Sequence, residues 1–184
     1  MPRQPNPTTV SKFLARHLRH QPQRIGIALD PAGWTAVDAL LAASAQAGLP
    51  LTRAQLDAAV DPPAGKRRYE YDTTGTRIRA VQGHSVPVEL GHPPADPPSR
   101  LYHGTHPGAV AAVLREGLLP RGRHHVHLSP DAETAGQVGG RRGRPVVLEV
   151  RAGDMARAGH VFLLAPNGVW LVDAVPPEYL RRRS

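Results

Sequence analysis

The sequence contains no cysteine and only two lysines, Lys12 and Lys66. Without cysteine, the chain has no disulfide bond, no thiolate nucleophile and no Cys-ligated zinc or iron–sulfur site. Aromatic residues make up only 4% of the chain, so the core has to be built mainly from Leu, Val, Ile and Ala. No apolar run approaches the roughly 18 residues of a membrane span, and the N-terminus lacks the apolar segment of a secretory signal. These absences predict a soluble, cytoplasmic protein.

Positive charge is carried almost entirely by arginine. The 23 Lys and Arg residues stand against 15 Asp and Glu, which gives a formal net charge of +8. A planar guanidinium matches two phosphate oxygens at once, which a lysine ammonium does not. The composition therefore favours a phosphate-rich partner, although an arginine-rich solvated surface encoded by a GC-rich genome explains it equally well.

A run of prolines divides the chain into two predicted lobes. Four prolines lie within residues 91–98, and such a run neither continues a helix nor donates to a sheet. We therefore predict an N-terminal lobe over residues 1–90, a stiff linker over residues 91–98 and a C-terminal lobe over residues 99–184.

The N-terminal lobe has the pattern of three helices followed by a β-hairpin. Apolar spacing predicts helices over residues 9–20, 36–47 and 53–60, and strands over residues 68–72 and 77–82. Thr8 or Thr9 is the predicted N-cap of the first helix, and Thr52 that of the third. This order indicates a winged-helix-like module, which commonly binds nucleic acids.

The C-terminal lobe has many short strand candidates and few helices, which predicts an α+β fold. The strand candidates are residues 100–103, 125–128, 146–150, 160–164 and 169–172, and the helix candidates are residues 107–116 and 130–137. Ser129 is the predicted cap of the second of these helices. A turn is predicted at Gly104-Thr105.

Four segments combine histidine, arginine and small residues in ways that a plain core does not need. They are residues 18–22, 66–69, 79–85 and 121–129. In the first segment, Arg19 and His20 end a helix before Pro22, and from this frayed end both side chains reach a cleft. The alternative is that their positive charge only complements the helix dipole. In the second, strand alternation puts Arg67 and Arg68 on opposite faces, unless both are simply solvated.

The third segment places a glycine between Gln82 and His84, just past a strand. Such a glycine lets a ligand approach the backbone closely, although an ordinary turn explains it as well. The chain has neither a Gly-x-Gly-x-x-Gly fingerprint after a strand nor a phosphate loop ending in Gly-Lys-Ser/Thr. A dinucleotide would therefore have to bind without a Rossmann fold.

The fourth segment holds three histidines in four positions, His124, His125 and His127. A His-x-His pair is able to supply two metal ligands. No carboxylate lies nearby in sequence, however, and the flanking arginines repel a cation, so no metal is predicted. Hydrogen bonding to a polar ligand is favoured, with partly buried structural histidines as the alternative.

Taken together, the segments resemble the RNA (tRNA) 2′-phosphotransferase family. Each matching piece is short, but the pieces run in the family's order from about residue 9 to about residue 180, and the ordered set is specific. The pieces lie at residues 11–14, 18–20, 30–34, 66–69, 78–85, 101–105, 123–129 and 167–170.

The resemblance implies an N-terminal RNA lobe of winged-helix type and a C-terminal lobe with an ADP-ribosyltransferase-like fold that binds NAD. It also implies a two-step reaction on an internal RNA 2′-phosphate. The phosphate first displaces nicotinamide from NAD to give an ADP-ribosylated RNA phosphate. The neighbouring ribose 2″-hydroxyl then attacks the phosphorus, which releases RNA with a free 2′-OH and ADP-ribose 1″,2″-cyclic phosphate.

The resemblance assigns the family's catalytic set to Arg19, His20, Arg68 and Arg123. Arg68 rather than Arg67 is the match because it directly precedes the aromatic Tyr69. Phosphoryl transfer depends mainly on positioning and on stabilisation of charge, so three arginines are able to clamp one phosphate without a metal ion. His20 titrates in a range that suits a general acid or base.

For NAD, which is consumed as a co-substrate, the resemblance points to His103, Gly104, Thr105, His127, Ser129 and Val169. In relatives of this fold the last position often carries a catalytic Glu. A valine fits an acceptor that is already an anionic phosphate and needs no deprotonation. The residues expected to line the RNA-phosphate side are Gln82, Gly83, His84 and Ser85.

Three other interpretations stay open. The first is a related transferase that ADP-ribosylates terminal phosphates and stops after the first step. The second is a non-catalytic module that recognises 2′-phosphates without NAD. The third is a metal protein whose histidines hold zinc or nickel. The basic tail at residues 181–183 is either a phosphate-tracking tail or disordered. We expect a monomer without membrane association that acts on 2′-phosphates of the kind left by RNA ligation, as in tRNA splicing.

Overall fold

A computed structural model describes residues 5–140 and 144–183 of the chain. The chain forms two compact units, Met1–Gly91 and His92–Ser184. Within the described residues, six α-helices are combined with small antiparallel sheets. Helices and antiparallel sheets are thus mixed, as expected for an α+β chain. No helix in this part of the chain has both the length and the apolar character needed to cross a bilayer.

The first unit contains three helices and one three-stranded sheet. Its elements are α1 (Pro7–Arg19), β1 (Thr35–Ala36), α2 (Val37–Gln46), α3 (Arg53–Val60), β2 (Tyr69–Tyr71) and β3 (Arg77–Ala80). The strands lie in the order β1-β3-β2, and both pairings are antiparallel. Leu14, Leu18, Leu40, Leu56 and Ile78 are completely buried where the helices pack on this sheet.

The start of α1 corrects the predicted cap. Asn6 is the N-cap, and its side chain accepts a hydrogen bond from the backbone N–H of Thr9 at 2.9 Å. Pro7 occupies the first helical position, where its missing N–H costs nothing. The prediction of Thr8 or Thr9 was wrong because the Asn-Pro pair begins the helix one turn before the apolar spacing does.

The predicted cap of α3 and the predicted hairpin are confirmed. Thr52 forms a capping box with Gln55, in which each side chain binds the other residue's backbone N–H. β2 and β3 are joined by a turn in which Asp72 accepts hydrogen bonds. Burial raises the pKa of Asp72, but hydrogen bonds from Arg77, Thr74 and Thr76 outweigh it and lower the pKa to about 2.

The second unit contains two three-stranded sheets and three helices among its described residues. Its elements are β4 (Leu101–Thr105), α4 (Pro107–Glu116), β5 (Val126–Leu128), α5 (Ala132–Gly139), β6 (Val146–Val150), α6 (Ala152–Arg157), β7 (Leu163–Leu164), β8 (Trp170–Val172) and β9 (Leu180–Arg182). The sheet orders are β4-β6-β9 and β5-β8-β7, with antiparallel pairings. Residues of the predicted linker belong to this unit: the N–H of Ala95 donates to the carbonyl of Phe162 at 2.9 Å.

Several predicted boundaries in the second unit are corrected. The turn expected at Gly104-Thr105 is wrong, because β4 continues through Thr105 and pairs there with Val146. The cap of α5 is Asp131, which accepts from the N–H of Thr134 at 2.7 Å, and not Ser129. The strand expected over residues 160–164 is reduced to the two residues of β7, and α6 and β9 had not been predicted.

Gly104 is the point at which α5 lies directly on the sheet. A Cβ atom at this position would stand 1.7 Å from the carbonyl oxygen of Ala135 and 2.9 Å from the backbone nitrogen of Gly139. Gly139 is also crowded, since its Cβ would lie 2.8 Å from the carbonyl carbon of Gly104. The two glycines therefore allow backbone-to-backbone packing of a helix on a strand.

Candidate active site

The C-terminal end of α1 is held by a distant segment of the first unit. The carbonyl oxygen of Arg19, the last residue of the helix, accepts hydrogen bonds from the N–H groups of Ser85 at 2.8 Å and Val86 at 3.4 Å. The frayed end expected from the sequence is therefore wrong. The backbone that carries Arg19 and His20 is fixed, because Ser85 and Val86 satisfy a carbonyl that a helix end otherwise leaves to solvent.

The Arg19 side chain lies over the Tyr69 ring, with Cζ 5.7 Å from the ring centroid. Its Nη2 donates to the carbonyl of Arg68 at 3.4 Å. Tyr69 is itself buried, and its hydroxyl donates to the carbonyl of Ser11 in α1 at 2.7 Å. Tyr69 thus forms a platform for the guanidinium, a role that sequence reasoning had not assigned although the residue directly follows Arg68.

Gly83 is required where the chain passes this guanidinium. Its φ of +89° lies in the left-handed region, which favours glycine, and a Cβ atom here would stand 3.4 Å from Nη1 of Arg19. Neighbouring His84 is buried, and its Nε2 would lie 3.5 Å from a Cβ on Gly33. His84 therefore packs against the loop that contains Gly33, while Gly83 and Ser85 face the end of α1.

His20 forms a hydrogen bond with Ser85 across the same junction. Its Nδ1 lies 2.9 Å from the Ser85 hydroxyl oxygen, although the two residues are 65 positions apart in the chain. Because the backbone N–H of Ser85 also donates to Arg19, the serine contacts both candidate residues. The imidazole ring is exposed, and this bond restricts its orientation.

Arg67 and Arg68 have different surroundings. Arg67 donates from Nε to the carbonyl of Val60 at 3.4 Å and lies 3.7 Å from the carboxylate of Asp61, so it closes the C-terminal end of α3. Arg68 is half-buried beside Tyr69, and its carbonyl accepts from Val81 at 3.1 Å and from Arg19. Both arginines precede β2, which begins one residue later than predicted.

In the second unit, His103 of β4 contacts His127 of β5. The Nδ1 of His103 lies 3.1 Å from the carbonyl oxygen of His127, and because a carbonyl only accepts, Nδ1 carries the proton. Burial lowers the pKa of His103, the bond to His127 raises it, and the charge of Arg123 lowers it again, with a net decrease. His103 is therefore a neutral imidazole near pH 7, with the lone pair on Nε2.

Strands β4 and β5 are joined by a single antiparallel bridge between Tyr102 and Ser129 within the described chain. Register pairs His127 with Leu171, and side chains alternate along strands, so His127, Ser129 and Val169 share one face of the β5-β8-β7 sheet. The opposite face belongs to the main core. Three residues assigned to NAD from the sequence therefore lie together, and His103 adjoins them.

Arg123 lies in the turn before β5. Its Nη1 stands 3.5 Å from Nδ1 of His127, and its backbone N–H donates to the carbonyl of Pro120 at 3.2 Å. Nearby His125 lies 3.6 Å from the carboxylate of Asp173, and burial lowers the pKa of His125. Among the residues that the structure describes, no three His, Asp or Glu side chains are grouped as ligands for a metal ion.

The first unit thus brings together Arg19, His20, Arg68, Gly83 and Ser85, whereas the second brings together His103, Arg123, His127, Ser129 and Val169. Gln82 and Thr105 are half-buried next to these groups. Gly104 has a packing role that its sequence motif does not reveal.

Almost the whole chain is similar to known proteins. The model of the family described as RNA 2′-phosphotransferase, Tpt1 / KptA family, matches residues 5–174. A probable RNA 2′-phosphotransferase of Streptomyces griseus is 56% identical over 182 residues, which covers 95% of this chain and 96% of that protein. A protein with the same description from Streptomyces coelicolor is 56% identical, over 94% of this chain and 93% of that protein. Another from Nostoc punctiforme is 51% identical, over 94% of this chain and 95% of that protein.

Proposed function

The chain belongs to the RNA 2′-phosphotransferase, Tpt1 / KptA, family, and from this premise we propose that it removes an internal 2′-phosphate from RNA by transferring it to NAD. The first unit serves as a winged-helix-like RNA lobe, and the second as an ADP-ribosyltransferase-like lobe that holds NAD. The observation that supports this proposal most directly is that Arg19, His20 and the backbone of Arg68 meet at the fixed end of α1.

In the proposed first step, an oxygen of the RNA 2′-phosphate attacks the ribose carbon that carries nicotinamide. The C–N bond breaks, and nicotinamide leaves with the electron pair as a neutral base. The attacking group is already an anion, so no general base is needed. A valine at position 169, buried beside Ser129, suits this step because no acceptor proton has to be removed.

In the proposed second step, the ribose 2″-hydroxyl oxygen attacks the phosphorus, and the bond between phosphorus and the RNA 2′-oxygen breaks. The hydroxyl loses its proton, and the leaving 2′-oxygen gains one. His20 is the group in the cluster that exchanges protons near neutral pH, as the base or as the acid. Arg19, Arg68 and Arg123 stabilise the charge on the phosphate oxygens, in a role that a metal ion fills in many phosphoryl transferases.

The residues of the second unit fit NAD in one specific respect. Because Nδ1 of His103 donates to His127, Nε2 of the neutral ring is an acceptor, which suits a ribose hydroxyl. Thr105 and Ser129 supply hydroxyl groups on the two strands that part beyond the Tyr102–Ser129 bridge. Gln82, Gly83 and Ser85 are proposed to line the RNA-phosphate side in the first unit. A place in tRNA splicing and a cytoplasmic location remain predictions.

The test is to incubate the protein with NAD and an oligonucleotide that carries one internal 2′-phosphate. We expect nicotinamide and ADP-ribose cyclic phosphate in equal amounts while the RNA loses its phosphate. Persistence of an ADP-ribosylated RNA would instead identify a transferase that stops after the first step. Binding of the oligonucleotide without any nicotinamide release would identify a non-catalytic module.

Arg68→Ala and Arg67→Ala form a matched pair for the same assay. Both remove one guanidinium, but Arg67 closes α3, whereas Arg68 lies beside Tyr69. We expect Arg68→Ala to lower turnover about 100-fold or more, the usual scale for one stabilising donor in a transition state. Arg67→Ala should retain turnover within about threefold. Equal effects of the two variants would contradict the assignment of Arg68.

A further inference from the structure

A cavity of about 940 Å³ in the second unit is lined by none of the residues assigned above. Its described lining is Pro107, Val110, Ala132, Glu133, Arg144, Pro145, Val146, Val147, Arg182 and Arg183. It lies where α4 and α5 begin and where the first residues of β6 meet the end of β9. Its volume falls in the upper part of the range of small-molecule sites, about 300–1,000 Å³.

The arginine-rich tail reaches this cavity as an ordered strand. β9 pairs with β6, and the N–H of Arg183 donates to the carbonyl of Val147 at 3.1 Å, so the disordered tail considered from the sequence is wrong. The buried carboxylate of Glu149 binds Arg181 at 3.1 Å and Arg100 at 3.5 Å. This ion pair fixes the register of the strand and leaves Arg182 and Arg183 at the cavity.

The cavity has an excess of positive charge. Arg144, Arg182 and Arg183 contribute three guanidinium groups, whereas Glu133 contributes the one carboxylate of the described lining. Glu133 accepts a hydrogen bond from Gln137 at 3.4 Å and pairs with none of the three arginines in the described part of the chain. Like charges around one cavity repel one another, and a bound anion relieves that repulsion.

The remaining wall is apolar. Pro107, Val110, Val146 and Val147 provide a surface on which a planar base is able to pack beside the arginines. Arginines bind phosphate with two parallel hydrogen bonds, and small-molecule pockets are lined mainly by apolar side chains with a few placed polar groups. We infer that this cavity binds a nucleotide unit, with its phosphate on Arg144, Arg182 and Arg183 and its base on the apolar wall.

The nucleotide is either part of a single-stranded RNA substrate or a free mononucleotide. The first of these assignments rests on the proposed function. Two probes separate these sources: a fluorescent single-stranded oligoribonucleotide without a 2′-phosphate, and AMP. Each probe is titrated against the full chain and the Arg182→Gln/Arg183→Gln variant. The matched control is Arg115→Gln/Arg157→Gln, which removes the same charge from exposed arginines of this unit that pair with carboxylates.

If the nucleotide belongs to RNA, we expect the cavity variant to bind the oligoribonucleotide about tenfold more weakly. Its salt dependence should also fall by up to about 0.7 in slope, since one phosphate contact on a single strand contributes about 0.7. If the nucleotide is free, AMP affinity should fall and RNA affinity should not. Either result supports the cavity site, provided that the control variant binds as the wild type does.

Unchanged affinity and salt slope for both probes in the cavity variant would overturn the inference. Arg144→Gln, on a different segment of the wall, serves as a second variant if the double substitution disturbs the strand. Turnover of a short 2′-phosphorylated substrate with NAD is measured in parallel and should stay within about twofold of wild type. Absence of that turnover in the wild type would contradict the proposed function but leave the binding test intact.

Discussion

Gly104→Ala adds one methyl group at the contact between β4 and α5. The new Cβ would stand 1.7 Å from the carbonyl oxygen of Ala135 and 2.6 Å from its carbonyl carbon. Gly104 does not have a positive φ, so alanine is free of backbone strain and the effect is purely steric. The obstacle is helix backbone, which cannot rotate aside as a side chain does, so α5 has to move away by more than an ångström.

Overpacking of a core typically costs about 1–3 kcal/mol, and the rigid obstacle places Gly104→Ala at the upper end, at about 3 kcal/mol or more. For a cooperative unit of fewer than 100 residues, each kcal/mol corresponds to a fall in Tm of about 4–8 °C. We therefore expect the Tm of the second unit to fall by about 12 °C or more.

Differential scanning calorimetry of wild type, Gly104→Ala and Gly136→Ala tests this expectation. Gly136 is the matched control in α5, because its Cβ would meet only the Val147 Cγ2 atom at an ordinary 3.7 Å. Alanine is the better helix former by up to about 1 kcal/mol, so Gly136→Ala should preserve or raise the Tm. A Tm for Gly104→Ala within about 2 °C of wild type would refute the backbone packing of α5. Weaker NAD binding at an unchanged Tm would instead assign Gly104 to the ligand.

Three further predictions concern the first unit. Asn6→Ala should lower the free energy of unfolding, measured by chemical denaturation, by about 1 kcal/mol, because Asn6 caps α1. Thr8→Ala is the control and should change the free energy of unfolding by less than about 0.5 kcal/mol. Equal losses in the two variants would contradict the assignment of Asn6 as the cap. Asp72→Asn should lower the free energy of unfolding of this unit at pH 7. Because the folded-state pKa of Asp72 is lowered, the difference from wild type should disappear as the pH falls from the ordinary pKa of 3.8 to about 2. A difference in stability that persists at pH 2 would show that the charge of Asp72 is not its origin. Ser85→Ala should lower kcat and shift the pH profile of turnover, because the His20 ring loses its hydrogen-bond partner. Ser85→Thr keeps the hydroxyl group and should restore both quantities. An unchanged pH profile in Ser85→Ala would contradict the proposal that Ser85 positions His20.

Elements with local signals were predictable from the sequence. Thr52 and Gln55 identify the start of α3, and Gly117 identifies the end of α4, because capping depends on residues within one turn. The Asn6 cap was missed although its signal is local, since the apolar periodicity of α1 begins after the Asn-Pro pair. The expected start of the helix, at residue 9, and the observed start at Pro7 differ by less than one turn.

β9 was not predictable, because its determinant is distant. A strand of Leu180 and two arginines has no apolar alternation, and it forms because β6 offers Glu149 as a partner for Arg181. The same holds for Gly104: a histidine-glycine-threonine motif suggests ligand binding, whereas the packing of Ala135 on the glycine appears only in three dimensions.

The candidate site was identified from ordered motifs of a resemblance and not from local patterns. Motifs assign Arg19, His20 and Arg68, but they do not show that Ser85 contacts both Arg19 and His20, since this requires two segments 65 residues apart to meet. The expected frayed helix end was wrong for the same reason. The sequence thus indicates candidate residues, and tertiary contacts determine which of them have a fixed position.

The carboxylate of Glu149 has a practical consequence for handling the protein. A truncation after residue 180 would remove Arg181, one of the two partners of Glu149 among the described residues, and leave Arg100 as the other. A buried carboxylate that loses one of its charged partners destabilises the fold, because the cost of removing the carboxylate from water is then offset by less attraction. A purification tag is therefore better attached, with a spacer, ahead of Asn6, because a fusion at the other end begins beside the final strand of the sheet.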